Sequence, residues 1–193
     1  MFNFNFRHFA SIGIRPIGAR HKENAFKQIM NYYRHNKAEM DRIIDVEVDV
    51  SLEKENYILT GRIDLLLGQD EKLELLDFKS QPKPETDDVR LDSYYKQLCV
   101  YAHILENRYK KRPDRLLLYW TGEPKRKDAL MEFPYKPETV EAAGNYFDSV
   151  VEKILNKDYQ LDNRPEYKVC KECDLRIYCS HEGAIKIKGR KDK

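Results

Sequence analysis

Two short apolar runs carry charges where a covered strand ordinarily has none. Gly61-Arg62-Ile63-Asp64-Leu65-Leu66-Leu67 and Leu75-Leu76-Asp77-Phe78-Lys79 are rich in Leu, as buried strands are, yet besides Arg62 near the start of the first they hold two aspartates and a lysine deeper in the apolar sequence. Ionised groups inside apolar surroundings cost free energy unless they meet a partner or a metal. A fold that accepts these runs has to bring the three charges to a common place.

The surrounding pattern supplies the scaffold. Phe26, Ile29, Met30 and Tyr33 recur at helical spacing and predict a helix over residues 18–37. Ile44, Val46, Val48 and Val50 alternate with polar residues and predict a strand over 43–50. Strands over 57–67 and 72–79 follow, joined by a polar connection at Gly68-Gln69-Asp70-Glu71, so the three form an antiparallel meander. The prolines of Gln81-Pro82-Lys83-Pro84 exclude regular structure there. A helix over 89–109, strands over 115–121 and 129–134, and a helix opening at Pro137 complete the order. This is an α/β chain with a central mixed sheet flanked by helices. The core is expected over residues 1–165, with a cysteine-rich segment and basic tail over 166–193.

Length and charge exclude some classes. A chain of 193 residues suits one domain with a small appendage, and 41% hydrophobic residues suffice for a core. No apolar run approaches the roughly 18 residues of a membrane span, and Met1-Phe2-Asn3-Phe4-Asn5-Phe6-Arg7 lacks the pattern of a signal peptide. A cytoplasmic location without membrane attachment is expected. The net charge of +2 hides two basic clusters, Arg108 to Arg112 and Lys186 to Lys193. Each can face a phosphate backbone or stand as a solvated helix end or tail.

Asp77 and Lys79 are two apart, so on one strand they share a face, and a hairpin can set Asp64 beside Asp77. A surface ion pair is the plainer reading of such residues. The chemical reading is a site for Mg²⁺ or Mn²⁺, hard cations that prefer carboxylate and carbonyl oxygen. Asp64, Asp77 and the main-chain carbonyl of Phe78 can hold the ion, and Lys79 can orient an attacking water.

Asp64-x12-Asp77-Phe78-Lys79 resembles the PD-(D/E)XK nuclease core, in particular its RecB-type branch, which includes the nuclease domains of AddAB and RecBCD and related CRISPR-associated exonucleases. That branch carries Gln-x-x-x-Tyr on the following helix, as Gln97-Leu98-Cys99-Val100-Tyr101 does here, with both side chains on one helical face. The resemblance implies a restriction-endonuclease-like fold in which Gln97 and Tyr101 position the phosphate. It further implies that His21, on the helix before the core, is an additional metal ligand. His8 lies ahead of the helical pattern, and Glu47 sits where such nucleases often carry a glutamate. Tyr94 and Tyr95 can stack on bases or pack into the core.

Cys170-x2-Cys173-x5-Cys179 resembles the C-terminal part of the iron–sulfur clamp of the same branch, which takes a fourth cysteine from ahead of the core. Here no cysteine precedes Cys99, which reads as a small buried hydrophobe. Three outcomes stay open: a [4Fe–4S] cluster completed by a ligand outside this chain, a zinc site completed by His181, or free thiols.

The resemblance therefore implies a metal-dependent DNA nuclease acting on single strands or ends, in a repair, recombination or helicase-linked complex. Without a P-loop in the chain, the helicase motor would lie elsewhere. The competing expectations are a non-catalytic nucleic-acid-binding scaffold and a metal-sensing module built on the cysteines.

Overall fold

The computed structural model of the protein describes residues 7–9, 11–12, 18–158 and 167–174. Backbone packing divides the chain into a unit over 1–151 and another over 152–193. The first opens with helix α1 (Ala19–Asn36), continues through a 3-10 turn (Lys37–Arg42), and enters strands β1 (Ile43–Glu53), β2 (Ile58–Gln69) and β3 (Lys72–Lys79). Helix α2 (Arg90–Tyr109), strand β4 (Arg115–Trp120), a one-turn helix α3 (Arg126–Ala129), strand β5 (Leu130–Phe133) and helix α4 (Pro137–Leu155) follow. In the second unit, helix α5 (Tyr167–Glu172) is described. No described helix is long and apolar enough to cross a membrane.

The sheet order is β1-β2-β3-β4-β5, with β3 and β4 parallel and every other pair antiparallel. The mixed α/β sheet and the β1–β3 meander are those the periodicity predicts. Only the parallel pair needs a crossover, and α2 supplies it. Asp114 fixes where that crossover ends: its carboxylate accepts the Leu73 N–H at 2.8 Å, and its own N–H donates to the Leu73 carbonyl at 2.7 Å. Two expected boundaries shift. The β2–β3 turn shrinks to Asp70 and Glu71, at φ 50° and 65°, while Gly68 remains in the ladder opposite Leu73. Ala129 closes α3, so the last strand begins at Leu130.

Strand alternation gives the sheet two covered faces. On one, Leu75, Leu116, Leu118 and Trp120 pack with Leu98, Ile104 and Leu105 of α2. On the other, Leu76, Leu117 and Tyr119 pack with Tyr32 of α1. The middle of α2, from Leu98 to Leu105, is buried apart from half-buried Tyr101, and Val140 and Ala143 of α4 share its core. At Gly144 a Cβ would stand 2.4 Å from the His103 ring, so only glycine allows α4 this close.

Candidate active site

The strands part at Asp64. In β2, Leu59 and Ile63 face α2, whereas Leu65 and Leu67 face α1. Side chains two apart on a regular strand share a face, so the alternation breaks between Ile63 and Leu65. In β1 the residue opposite Asp64 is Glu47, by the pairing of Val46 with Leu65 and Val48 with Ile63, and Glu47 has φ 52°. A left-handed residue disturbs the regular pleat of a strand, so the disturbance in β1 and the break of alternation in β2 lie opposite each other. The β2–β3 ladder runs from Gln69–Lys72 only as far as Leu65–Leu76. Beyond it, the Phe78 N–H donates instead to Asp64 Oδ2, at 2.7 Å.

Asp77 and Lys79 point to the α2 face, as Leu75 does. The Asp77 side chain is 5% exposed, and its Oδ2 lies 2.6 Å from Lys79 Nζ. This is a charge contact whose angle falls outside hydrogen-bond geometry, and no other described donor reaches that oxygen. Burial raises the Asp77 carboxyl above its ordinary range, Lys79 draws it back down, and the charge of Asp64 adds to the rise. The two aspartates therefore sense one another across the opened ladder.

From Lys79 a hydrogen-bonded chain runs onto α2. Lys79 Nζ donates to Gln97 Oε1 at 2.9 Å, and Gln97 Nε2 donates to the Tyr101 hydroxyl at 2.9 Å. Burial raises the Tyr101 phenol, and the nearby charges of Asp77 and Asp64 contribute to that rise. Tyr101 also explains the glycine of the Gly61-Arg62-Ile63-Asp64 run. A Cβ at Gly61 would lie 2.7 Å from Tyr101 Cε1, so the strand can cross the ring only without a side chain.

Tyr94 closes the other side of Lys79. Its ring lies under Nζ at 4.4 Å from the centroid, and its hydroxyl donates to Gln81 Oε1 at 3.1 Å. Its ring edge meets Trp120, with centroids 5.7 Å apart. Tyr95 turns away, stacking on Phe133 and donating to the Pro134 carbonyl at 2.8 Å, so of the two tyrosines it is the packing residue. Gln81 was not singled out from sequence; its place just after Lys79, before a proline pair, was the available signal.

The Phe78 ring faces α1, where it meets Tyr32 edge-on at 4.9 Å. Gln28 of the same helix donates to the Ser80 carbonyl at 3.4 Å and accepts from Thr121 Oγ1 at 3.0 Å. His21 precedes Gln28 by two turns on that helical stripe and is exposed. Neither His21 nor Glu47 joins Asp64 and Asp77: among the described residues, no three His, Cys, Asp or Glu side chains gather as a metal-holding group. Cys99 is fully buried, and burial pushes its thiol up to about 11, as fits a packing residue. Cys170 lies in α5 and Cys173 just after it, with the Cys173 N–H donating to the Cys170 carbonyl at 3.4 Å. Cys179 and His181 lie outside the described residues.

The donor set suits a hard divalent cation. A buried carboxylate oxygen met among the described residues only by an ammonium, beside a second carboxylate where β3 has left β2 while still paired with β4, offers oxygen ligands whose charge the protein leaves incompletely offset.

Solved structures are similar to the chain, and one with a TM-score of 0.53 agrees with the fold. The crystal structure of SSO0001 is 14% identical at a TM-score of 0.47, over 93% of this chain and 78% of that one. A candidate exonuclease from Eubacterium rectale is 11% identical at a TM-score of 0.53, over 90% of this chain and 75% of that one. VC1899 from Vibrio cholerae is 16% identical at a TM-score of 0.34, over 65% of this chain and 34% of that one. No curated protein matches the chain. The sequence profile of the PD-(D/E)XK nuclease superfamily matches residues 7–180, and so the chain belongs to that superfamily.

Proposed function

We propose that the protein is a divalent-metal-dependent nuclease that hydrolyses DNA phosphodiester bonds, working as an exonuclease on single strands or DNA ends. Membership of a nuclease superfamily supports a nucleic-acid substrate. The observation that carries the reading is the convergence on Asp77. Among the described residues its buried Oδ2 meets only Lys79, the charge of Asp64 reaches it, and Lys79 is tied through Gln97 to Tyr101.

In this reading Asp64, Asp77 and the Phe78 carbonyl would hold Mg²⁺ or Mn²⁺, and His21, which stands apart from the two aspartates here, would join them by a shift of the first turn of α1 when the ion binds. Bound there, the ion polarises the scissile phosphate and lowers the pKa of an attacking water. The remaining work belongs to the chain. Lys79 is held by a carboxylate, an amide oxygen and a ring face, so its ammonium is oriented before substrate arrives. It orients the water and stabilises negative charge growing on phosphorus. Gln97 fixes the Lys79 rotamer, and Tyr101 fixes Gln97.

The order Asp64, Asp77-x-Lys79, Gln97-x3-Tyr101 supports the RecB-type branch and a helicase-linked or repair setting. Cys170, Cys173 and Cys179 would serve a [4Fe–4S] cluster with a ligand from outside the chain, or zinc with His181. Metal analysis of protein purified without air separates iron from zinc.

The decisive experiment incubates end-labelled single-stranded DNA with the protein, with and without Mn²⁺, beside Asp77→Ala. Cleavage that needs metal and is lost in the variant is the expected result. DNA binding without cleavage by either protein would replace the reading with that of a non-catalytic scaffold.

A further inference from the structure

Four cations stand together where α2 ends. Arg108, Lys110, Lys111 and Arg112 fall within five residues and are all exposed. Five arginines elsewhere are each bound to a carboxylate: Arg42, Arg62, Arg90, Arg115 and Arg126. Among the described residues, none of the four has such a partner. Lys110 Nζ donates to the Asn107 carbonyl at 2.9 Å, and the guanidiniums of Arg108 and Arg112 lie 5.9 and 4.2 Å from the rings of Tyr109 and Tyr135. These contacts orient the groups without neutralising them.

A helix C-terminus welcomes cations in its last turn, which accounts for Arg108. It does not account for Lys111 and Arg112, which lie beyond the end. Lys110 takes φ 56° and turns the chain there, while the Lys111 N–H returns to the Leu105 carbonyl at 3.1 Å. Lys110, Lys111 and Arg112 thereby line one side of an open groove of about 820 Å³ whose lining also includes Lys72 and the carboxylates of Asp41, Asp49, Asp70 and Glu71, so the cations of the helix end, not the groove as a whole, carry the positive charge.

The cluster lies on the element that carries half of the candidate active site. Arg108 follows Gln97 by three turns along one helical stripe. At a rise of about 1.5 Å per residue, α2 places Lys110 roughly 20 Å from Gln97. A strand must therefore extend roughly 20 Å beyond the cut to reach the cluster.

We propose that Arg108, Lys110, Lys111 and Arg112 anchor the phosphodiester backbone of a nucleic acid roughly 20 Å from the bond that is cut. The proposal rests on the nuclease reading above and adds a second contact region to it. A backbone anchor senses charge and length, not sequence.

The test compares wild type with the triple variant Arg108→Gln/Lys110→Gln/Lys111→Gln, which leaves Arg112 on its tyrosine and the catalytic groups untouched. Equal melting temperatures establish that the variant folds. Binding is measured in EDTA, across a salt series, with fluorescent DNA of about 30 and about 4 nucleotides and with RNA of the longer length. Affinity for the long polymers should fall about tenfold, and the slope of log K against log salt by about 2, from roughly 0.7 per lost contact on a single strand. Binding of the short oligonucleotide, and its cleavage in Mn²⁺, should not change. Loss on either long polymer supports the anchor, because the backbone chemistry is shared. Unchanged affinity and slope on both would assign the cluster to some other acidic surface and overturn the proposal. A wild type that binds with this salt dependence yet never cleaves would sink the nuclease reading while the anchor stands; a wild type that does neither sinks both.

Discussion

Asp64 Oδ2 accepts the Phe78 N–H at 2.7 Å, so one carboxylate closes a gap in the sheet and faces Asp77. The two duties separate by substitution. Asp64→Asn keeps an oxygen for the N–H but loses the charge; it should fold with near wild-type stability and lose cleavage. Asp64→Ala loses both and should also cost about 1–3 kcal/mol, the penalty of an unpaired buried donor. Urea unfolding of the two variants checks this, and equal stability would show that the hydrogen bond carries no weight.

Metal should stabilise the fold through Asp77. Burial raises its carboxyl, so its charge is incompletely offset until a cation binds. Mn²⁺ at about a hundred times its dissociation constant should add about 2.7 kcal/mol. Melting curves with and without Mn²⁺ should show the shift in wild type and none in Asp77→Asn. His21→Ala should need more Mn²⁺ for half the effect, with its metal-free melting temperature unchanged; an unchanged Mn²⁺ requirement would remove His21 from the ligand set.

The Lys79–Gln97–Tyr101 chain predicts a graded loss. Gln97→Ala removes an acceptor from an ammonium, a bond worth about 1.5–3 kcal/mol, so cleavage should fall roughly 10- to 100-fold. Tyr101→Phe removes only the second link, worth about 1 kcal/mol, and should cost several-fold. Single-turnover rates decide the order; a larger loss in Tyr101→Phe would place the phenol on the substrate.

The groups that meet by local periodicity were legible in the sequence, and those that meet by a break in it were not. Asp77 and Lys79 share a face because they are two apart on a strand, and Gln97 and Tyr101 because they are four apart on a helix. The break at Asp64 carries no such signal. Val46-Glu47-Val48 reads as plain alternation, yet Glu47 takes φ 52°, a conformation that a glutamate does not advertise. For the same reason the connection that reads as Gly68 to Glu71 narrows to Asp70 and Glu71, which adopt the left-handed geometry without a glycine. His21 was legible as a helical residue, but a helix pattern says nothing of how near its first turn comes to the sheet. Gly61 was visible as a glycine, while its cause, the Tyr101 ring, required the tertiary structure.

Gly61→Ala should therefore act through Tyr101. The added methyl must displace a ring packed between strand and helix, a cost of about 1–3 kcal/mol. Tyr101→Leu should relieve part of that cost in the double variant, so the two effects on unfolding free energy should not add. Additive effects would mean that the strand, not the ring, gives way.

His103 should make the fold sensitive to mild acid. It is 7% exposed, packed against Gly144, and Asn107 Nδ2 faces its Nδ1 at 3.3 Å, while its buried Nε2 has no hydrogen-bond partner among the described residues. Burial lowers the imidazole from its ordinary value near 6.5, and Lys54 adds to the lowering, against the opposing pull of Asp148, Glu106 and Glu141. Below about pH 6.5 the unfolded chain takes up a proton that the native chain refuses, so stability falls as pH falls, by at most about 1.4 kcal/mol per unit. The loss ends once pH drops below the lowered native value. Urea unfolding of wild type between about pH 7.5 and pH 5.5 should show this slope, and His103→Gln should flatten it. An identical slope in the variant would assign the acid sensitivity to the carboxylates around it.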